Sequence, residues 1–528
     1  MSKHFEHCNV HYTPQATALN RPYTSASFRP LPTFKQMAEP SLEKVPNELF
    51  DWILQSIAID DICNLRLASR TLNARATQET FFSHFRSIRL HVKKHTLESF
   101  AAMTQGPLGQ IIEGITIVGF VYDYEGLENI LESGERWEEP EGDGTGTPRI
   151  REYTDDELDR IEEDLATLQR QQAECQDMYD NGYSIALLRQ AFTNIARHAQ
   201  HKFRGLTLEV AVHHESTTDY VIPRDADHTA IRLFLEMASN VFSLVSSAIS
   251  DTQLSLDQLV VFGNVPASMI CGVPCETLSK YQWTAPAYAQ FTTNLKSLTL
   301  KFSDRVLDRR NMDDEAMKIV LAEDANSSGL RDLLASLINL EELHVSRYAL
   351  FAGERLSYDE SEDHDPLHGS HRAVQRRQVH AILQARMARL RTLKLGGMNL
   401  DVSDLEAFLR AHRDSLRTIS FDNIGLRDGP VIPLLELLAS EIPGLLDISM
   451  QDMDDDDDNE MRFEGEPEQS CTRISGAKQG RNAIHRWGED AKKVITFYRW
   501  GGPIGSSYDV IQARTHRAHQ YGGGRRIH

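Results

Sequence analysis

The sequence predicts an α/β protein: a short helical module followed by a long array in which strands and helices alternate. Three observations carry this. Residues 40–86 place their apolar side chains at helical spacing. From Phe85 onward the pattern apolar-x-x-apolar-x-apolar recurs, and each copy is short enough for one strand. Helical patterns precede most of those copies, so the chain returns repeatedly to the same kind of strand, as stacked units do.

In the first module Pro46 stands at a favoured first-turn position, and Leu49, Phe50, Ile53, Leu54 and Ile57 follow at helical spacing. Asp60 and Asp61 offer an N-cap for a second helix with apolar positions Ile62, Leu65, Leu67 and Ala68. A third helix is expected from about Thr71 to Phe82. About 45 residues in three helices cannot bury all this apolar surface among themselves, so part of it awaits a partner or the next domain.

These residues resemble an F-box, whose pattern runs Leu-Pro-x-Glu, Ile-Leu, an acidic turn and Leu-Arg-Leu-x-Ser-Arg. Val45, Pro46, Glu48, Ile53, Leu54, Asp61, Leu65, Arg66, Leu67, Ser69 and Arg70 occupy those positions. The departures are Val45 for the first Leu, Ile57 and Ile62 for Leu and Ala68 for the customary Val, and all keep an apolar side chain. The resemblance implies docking on the adaptor subunit of an SCF-type ubiquitin ligase, and through it on a cullin. Val45, Pro46, Glu48, Leu49, Ile53, Leu54, Ile62, Leu65, Arg66, Leu67, Ser69 and Arg70 would form the adaptor-binding set.

The strand pattern occurs at Phe85/Ile88/Leu90, Ile112/Ile115/Ile117, Phe203/Leu206/Leu208, Leu256/Leu259/Val261, Leu295/Leu298/Leu300, Leu340/Leu343/Val345, Leu390/Leu393/Leu395, Leu416/Ile419/Phe421 and Leu445/Ile448/Met450. Helical patterns cover Ile185 to His198, Ala230 to Ile249, Leu330 to Leu337, Val374 to Arg389, Leu405 to His412 and Leu434 to Leu438. This array resembles a leucine-rich repeat, whose pattern continues x-x-Asn-x-Leu. The best copies begin at Leu390 and Leu416, yet they place Met398 and Ile424 where the family prefers Asn. Elsewhere the spacing stretches to roughly two repeats, so the array is an irregular solenoid carrying long inserts. A conventional α/β sheet domain is the competing architecture. An F-box joined to degenerate repeats resembles fungal F-box proteins in particular.

The expected organisation is a mobile arm over 1–39, the F-box over 40–86 and the repeat array over 87–451, with exposed inserts near 132–156 and 353–371. A charged helix is expected from about Asp156 to Met178. An acidic linker over 452–468 leads to a segment, 469–528, in which Trp487 to Trp500 would form a capping helix before a disordered tail.

A net charge of −21 argues against a nucleic-acid or anionic-membrane surface, because such surfaces cluster Lys and Arg. Six scattered cysteines make no disulfide framework, and no run reaches the apolar length of a membrane span, so cytosol or nucleus is expected. Cys271 and Cys275 lack further zinc ligands at finger spacing. Gly142, Gly144 and Gly146 lie among acids without the Lys-Ser/Thr of a phosphate loop, and Asp454 to Asp458 lacks the Gly and Glu of a calcium loop. Adjacent His213 and His214 would point to opposite faces of a strand. No nucleophile or metalloprotease motif is present, and neither a metal nor a cofactor is expected.

The reading is therefore non-enzymatic. The chain would be the substrate-recognition subunit of an SCF-type ligase, its F-box on the adaptor and its repeats on an unknown target protein. The alternative is a scaffold or interaction protein whose F-box leads to no target ubiquitination. In each repeat strand the third, fifth and seventh pattern positions face outward, which nominates Glu342, His344, Thr392, Lys394, Thr418, Ser420 and Asp422 for target binding, with Tyr348 and Phe351 as aromatic anchors nearby.

Overall fold

A strand with apolar residues at alternate positions buries one face and leaves the other free, and parallel neighbours stack those faces in columns. The computed structural model of the chain describes residues 42–57, 59–77, 79–138, 149–197, 203–213, 229–250, 252–265, 271–305, 312–348, 366–455, 460–463 and 483–500. The expected arm over 1–39 and tail beyond 500 lie outside them.

The first module contains α1 (Asn47–Ser56), α2 (Ile59–Ala68), α3 (Arg70–Ala76) and α4 (Glu79–Ser83). The third helix expected over Thr71 to Phe82 is thus two. Ser69 caps α3 by accepting from the Leu72 amide at 3.1 Å. Thr77 ends it by returning both its amide and its hydroxyl to the Asn73 carbonyl, at 3.0 and 2.7 Å. The chain can then turn Phe81 inward. Phe50, Leu54, Ile62, Leu72, Ala76 and Phe81 form a core of their own, against which Leu108 of the next domain packs. Asp60 and Asp61 fall inside the first turn of α2 rather than capping it, and there the exposed Asp61 carboxylate is favoured by the helix dipole.

The remaining helices are α5 (Lys94–Thr104), α6 (Glu125–Ser133), α7 (Asp155–Asp180), α8 (Tyr183–Arg197), α9 (Thr229–Ile249), α10 (Cys275–Leu278), α11 (Ala289–Asn294), α12 (Asp314–Ala322), α13 (Ser328–Ser336), α14 (Pro366–Leu383), α15 (Val402–His412) and α16 (Val431–Ser440). The strands are β1 (Ser87–His91), β2 (Gly114–Tyr122), β3 (Glu135–Glu138), β4 (Arg149–Glu152), β5 (Gly205–His213), β6 (Gln258–Val261), β7 (Val273–Pro274), β8 (Ser297–Ser303), β9 (Glu342–Tyr348), β10 (Thr392–Asp401), β11 (Thr418–Arg427), β12 (Asp447–Asp454), β13 (Glu460–Phe463), β14 (Ala483–Trp487) and β15 (Phe497–Trp500).

One open sheet runs β1-β2-β5-β6-β8-β9-β10-β11-β12-β13-β15, so strand order follows chain order. From β1 to β12 every neighbouring pair on this path is parallel, and the fourth position of the sequence pattern forms one column. That column pairs Ile88, Ile115, Leu206, Leu259, Leu298, Leu343, Leu393, Ile419 and Ile448 in turn. Helices α5, α8–α11 and α13–α16 and the inward strand side chains share one continuous core, whereas α7 packs Cys175 against Val118, Phe120 and Tyr122 on the opposite face of β2 and α12 contributes Met317 and Leu321 to a separate small cluster. Just before the strands, a backbone ladder continues the stack. The Arg86 carbonyl receives the Glu113 and Gly114 amides, and the Arg391 carbonyl receives those of Arg417 and Thr418.

Three expectations are corrected at the inserts and the far end. Trp487 to Trp500 is not one helix: Gly488–Lys492 form only a 3-10 turn and Phe497–Trp500 form β15, antiparallel to β13, while just before them β14 pairs antiparallel along β12, from Asp447 opposite Trp487 to Gln451 opposite Ala483. A helix over 497–500 would leave the free edge of β13 unpaired, whereas β15 satisfies it, as β14 does for β12. The acidic segment from 452 is not a solvated linker from its start, because Met453, Met461 and Phe463 bury their side chains and draw Asp454 into β12 and the 460–463 segment into β13. The 132–156 insert pairs β3 with β4 before α7 begins at a Thr154 capping box. Residues 139–148, with the three glycines, lie outside the described residues, as do 353–365 of the other insert, and α14 already begins at Pro366.

Candidate functional site

The first candidate surface belongs to the helical module. Of the residues expected to bind an adaptor, Leu54 and Ile62 are interior, and Val45 and Leu65 pack half-buried against the same core. Ile53 is half-buried, while Pro46 and Arg70 are exposed. Glu48 lies in the first turn of α1. Arg66 lays its guanidinium 4.0 Å from the Phe81 ring centre and donates to Asn73 Oδ1 at 3.1 Å, and Ser69 serves as the α3 cap. Their local roles hold the module together. By contrast Leu49, Leu67 and a residue the sequence reading passed over, Trp52, stay 50%, 83% and 69% exposed. Trp52 was detectable in the sequence as an apolar residue three after Leu49, off the stripe that Phe50 and Leu54 define. Arg75 was also passed over. It stacks 4.4 Å from the Phe50 ring centre and donates to the Leu42 and Glu43 carbonyls at 3.0 and 2.7 Å, tying down the entry to α1.

The second surface is the face of β8 to β12 opposite the shared core; farther along the same face, at β2, α7 packs against it. Burial alternates along β8, β9 and the first halves of β10, β11 and β12, so the nominated residues share that face. Pairing aligns them in rows: Ser297, Glu342, Thr392, Thr418 and Asp447; then Thr299, His344, Lys394, Ser420 and Ser449; then Lys301, Ser346, Gly396, Asp422 and Gln451. Lys301 was not in the nominated set, although it occupies the same pattern position as Ser346. Tyr348 ends β9, and Phe351 lies outside the described residues.

Beyond the third row three strands turn together. Gly397, Asn423 and Asp452 all have positive φ, of 69°, 54° and 50°. The next side chains, Met398, Ile424 and Met453, then go inward and pair across the strands. This explains the apolar residues found where an Asn was expected: the column is buried among aliphatic side chains.

Desolvation shapes the charges on this face. Burial, together with Lys394 and Lys301, pushes His344 down to about 4, so it is neutral at pH 7, and its Nε2 is 3.3 Å from Ser346 Oγ. Burial also lowers Lys301, whose Nζ donates to the Val265 carbonyl at 2.9 Å. Although part of Asp422 reaches solvent, desolvation and the Asp452 carboxylate push it up to about 6. Tyr348 rises to about 12, chiefly through burial.

Behind the end of β9 lies a buried polar cluster that sequence reasoning missed. Arg347 Nη2 meets Asp304 Oδ1 at 2.5 Å with side chains 5% and 6% exposed. Its Nε donates to Gln378 Oε1 at 3.0 Å, and Gln378 donates in turn to the Asn326 carbonyl at 3.1 Å. Asn326 Nδ2 reaches the Val320, Leu321 and Glu323 carbonyls at 3.0, 3.1 and 3.0 Å. The cluster fixes the strand end that carries Tyr348.

No family model matches this chain, and no curated protein does either. Its chemistry must be argued from its own residues. Burial raises the Cys175 thiol to about 11 and holds Cys271 and Cys275 well above the ordinary thiol range, which keeps all three protonated and weakly nucleophilic. Among the described residues no group of three His, Cys, Asp or Glu side chains is placed to hold a metal, and no helix is long and apolar enough to cross a membrane.

Proposed function

We propose that the chain is the substrate-recognition subunit of an SCF-type ubiquitin ligase, with residues 40–86 as the F-box and the sheet array, a degenerate leucine-rich repeat, as the target-binding arm. The observation that supports this reading best is the combination of a closed core and unsatisfied apolar surface in the first module. Phe50, Leu54, Ile62, Leu72, Ala76 and Phe81 already give it an interior, yet Leu49, Trp52 and Leu67 remain in water. Large apolar side chains left exposed on a module that has its own core suit a surface awaiting a partner. The Leu-Arg-Leu-x-Ser-Arg sequence adds to this, since Arg66 and Ser69 hold α2 and α3 in place while Leu67 points away.

The array suits the second half of the task. Parallel strands stacked in chain order make a stiff body, and a stiff body holds two binding surfaces at fixed separation better than a flexible linker does. Ubiquitin chemistry would lie in other subunits. The test is to isolate the full chain from cells, ask whether an SCF adaptor and cullin accompany it, and measure the half-lives of its other partners after the chain is removed. Recovery of the adaptor with at least one partner stabilised supports the reading. Adaptor recovery with every partner's half-life unchanged favours a scaffold, and absence of the adaptor overturns the reading.

A further inference from the structure

Just before its strands the array carries a row of charges. The backbone ladder there runs through Arg86, Glu113, Arg204, Asp257, Lys296, Glu341, Arg391 and Arg417 to Leu446, and at every step an amide of the next unit meets the carbonyl of the last, as Arg417 meets Arg391 at 2.8 Å. From Arg86 to Arg391 the side chains alternate in sign. Ion pairs close four of these steps: Glu113 with Arg86 and with Arg204, both at 3.6 Å, Asp257 with Lys296 at 3.0 Å, and Glu341 with Arg391 at 3.4 Å. Neighbouring heads in this row therefore come within reach of one another.

Alternation stops at Arg417, which stands where the series calls for a carboxylate. Among the described residues it makes no ion pair, and its Nη1 donates instead to the Asp414 and Leu416 carbonyls at 3.1 and 2.7 Å. Gly444 makes room for that guanidinium, since a Cβ there would collide with Arg417 Nη1. The head is thus held in place by backbone and left without a counter-charge. More cations gather around it. The Met387 amide meets His412 Nε2 at 3.3 Å, which joins the loop carrying exposed Arg386 and Arg389 to the loop carrying exposed Arg413. Like charges on neighbouring strands repel, so the Arg391 and Arg417 pair is a cost that an incoming anion removes.

The next position in the row is apolar. Leu446 is 52% exposed, and its carbonyl receives the Gly488 amide at 2.7 Å, directly after Trp487, which is 69% exposed. We propose that Arg391, Arg417 and Leu446 form a docking surface for an acidic segment of a partner protein, two of its carboxylates meeting the two guanidinium groups and an apolar side chain beyond them lying on Leu446. Charge complementarity selects this occupant, and arginine beside an exposed tryptophan is the composition of a protein-docking hot spot. Glu341 on one side and Asp447 on the other bound the patch, so a regularly charged polymer would run onto carboxylates of a chain whose net charge is −21. The surface is separate from both the first module and the outward sheet face, and it does not depend on the ubiquitin-ligase reading.

The test measures fluorescence anisotropy of labelled peptides with Leu-Glu-Glu-Leu, Leu-Gln-Gln-Leu and Ala-Glu-Glu-Ala cores, and of a short single-stranded DNA, against the purified full chain. Wild type is expected to bind the Leu-Glu-Glu-Leu peptide about tenfold more tightly than either other peptide. Arg391→Gln/Arg417→Gln is expected to abolish the preference for Glu over Gln, whereas Arg86→Gln/Arg204→Gln, which removes the same charge from the far end of the row, should keep it. Arg391→Gln alone leaves the Arg417 bonds to backbone in place and should lower the preference about threefold, which decides the matter if circular dichroism shows the double variant unfolded. Leu446→Ser is expected to remove the preference for Leu over Ala. Equal binding of the acidic and amide peptides by wild type, or an equal loss in the Arg86 and Arg204 variant, overturns the proposal. DNA that binds more tightly than the Leu-Glu-Glu-Leu peptide and displaces it would assign the surface to nucleic acid and overturn the proposal as well.

Discussion

Removing one partner of the Asp304 and Arg347 pair should be among the most damaging changes to the array. Asp304→Ala leaves a guanidinium nine-tenths buried, with Gln378 Oε1 at 3.0 Å as its remaining side-chain acceptor among the described residues. An uncompensated buried charge of this kind costs about 3–5 kcal/mol. The loss should exceed the worth of the pair itself, because desolvation of both ions is already included in the native state. The double variant Asp304→Ala/Arg347→Met removes the stranded charge while keeping an apolar stem, so it should be less damaging than the sum of its parts by about 1–3 kcal/mol. Urea unfolding followed by circular dichroism at 222 nm gives each value, and a double-mutant cycle gives the coupling. An Asp304→Ala variant that loses less than about 1 kcal/mol would refute the argument that this pair is locked in a dry interior.

Other outcomes follow from single residues. His344 is held at about 4 against an ordinary 6.5, so the native state keeps it neutral while the unfolded chain takes up a proton first. Its contribution is therefore complete above pH 6.5 and is lost as pH falls toward 4; His344→Gln should flatten the stability profile in that window by about 1–2 kcal/mol in urea titrations at several pH values, and parallel profiles for both proteins would contradict the assignment. Gly397 has φ of +69°, and an added Cβ would lie 2.3 Å from the Arg347 carbonyl oxygen, so Gly397→Ala should cost about 2 kcal/mol or more. Gly134→Ala, at φ +70° with nothing within 4 Å, should cost only about 1 kcal/mol, and equal losses in thermal melts would show that the close approach is not what matters. In the first module Arg75→Ala should loosen the entry to α1 by about 1–2 kcal/mol, read as faster amide exchange at Phe50, whose amide is bonded to the Pro46 carbonyl at 3.0 Å; unchanged exchange would mean that the Arg75 contacts carry no stability.

Much of the array could be read directly from the residues. The apolar column from Ile88 to Ile448 was aligned by pattern alone, and hydrogen-bond pairing follows that alignment strand by strand. It was legible because one face of every strand is buried, and a slip of one residue would have turned each set outward. The far end was not legible, since β14 is chosen by the open edge of β12, a demand made by tertiary pairing that Ala483 to Trp487 do not announce. The buried ion pair was hidden for a similar reason: Asp304 and Arg347 are 43 residues apart and each reads as surface charge until the fold joins them. In the module, helical periodicity found Leu54 and Ile62 but could not separate interior from exposed positions such as Leu65 and Leu67, a distinction that depends on how four short helices pack. On the sheet face the alternation gave the outward residues, while their shifted protonation depends on neighbours in adjacent strands, as with His344 beside Lys394.

The central claim is that an exposed apolar surface on the first module docks an SCF adaptor, and one pair of variants tests it most directly. Leu67 is 83% exposed, so Leu67→Lys should leave stability within about 0.5 kcal/mol of wild type, and the same holds for Leu67→Ala. If that side chain is a docking anchor, adaptor affinity measured by calorimetry on the full chain should fall about thirtyfold or more for Leu67→Lys, in line with a loss of about 2 kcal/mol. Leu54→Ala, made in the module's interior, should instead lower stability by about 2–5 kcal/mol. A folded Leu67→Lys chain that binds the adaptor as tightly as wild type would contradict the account.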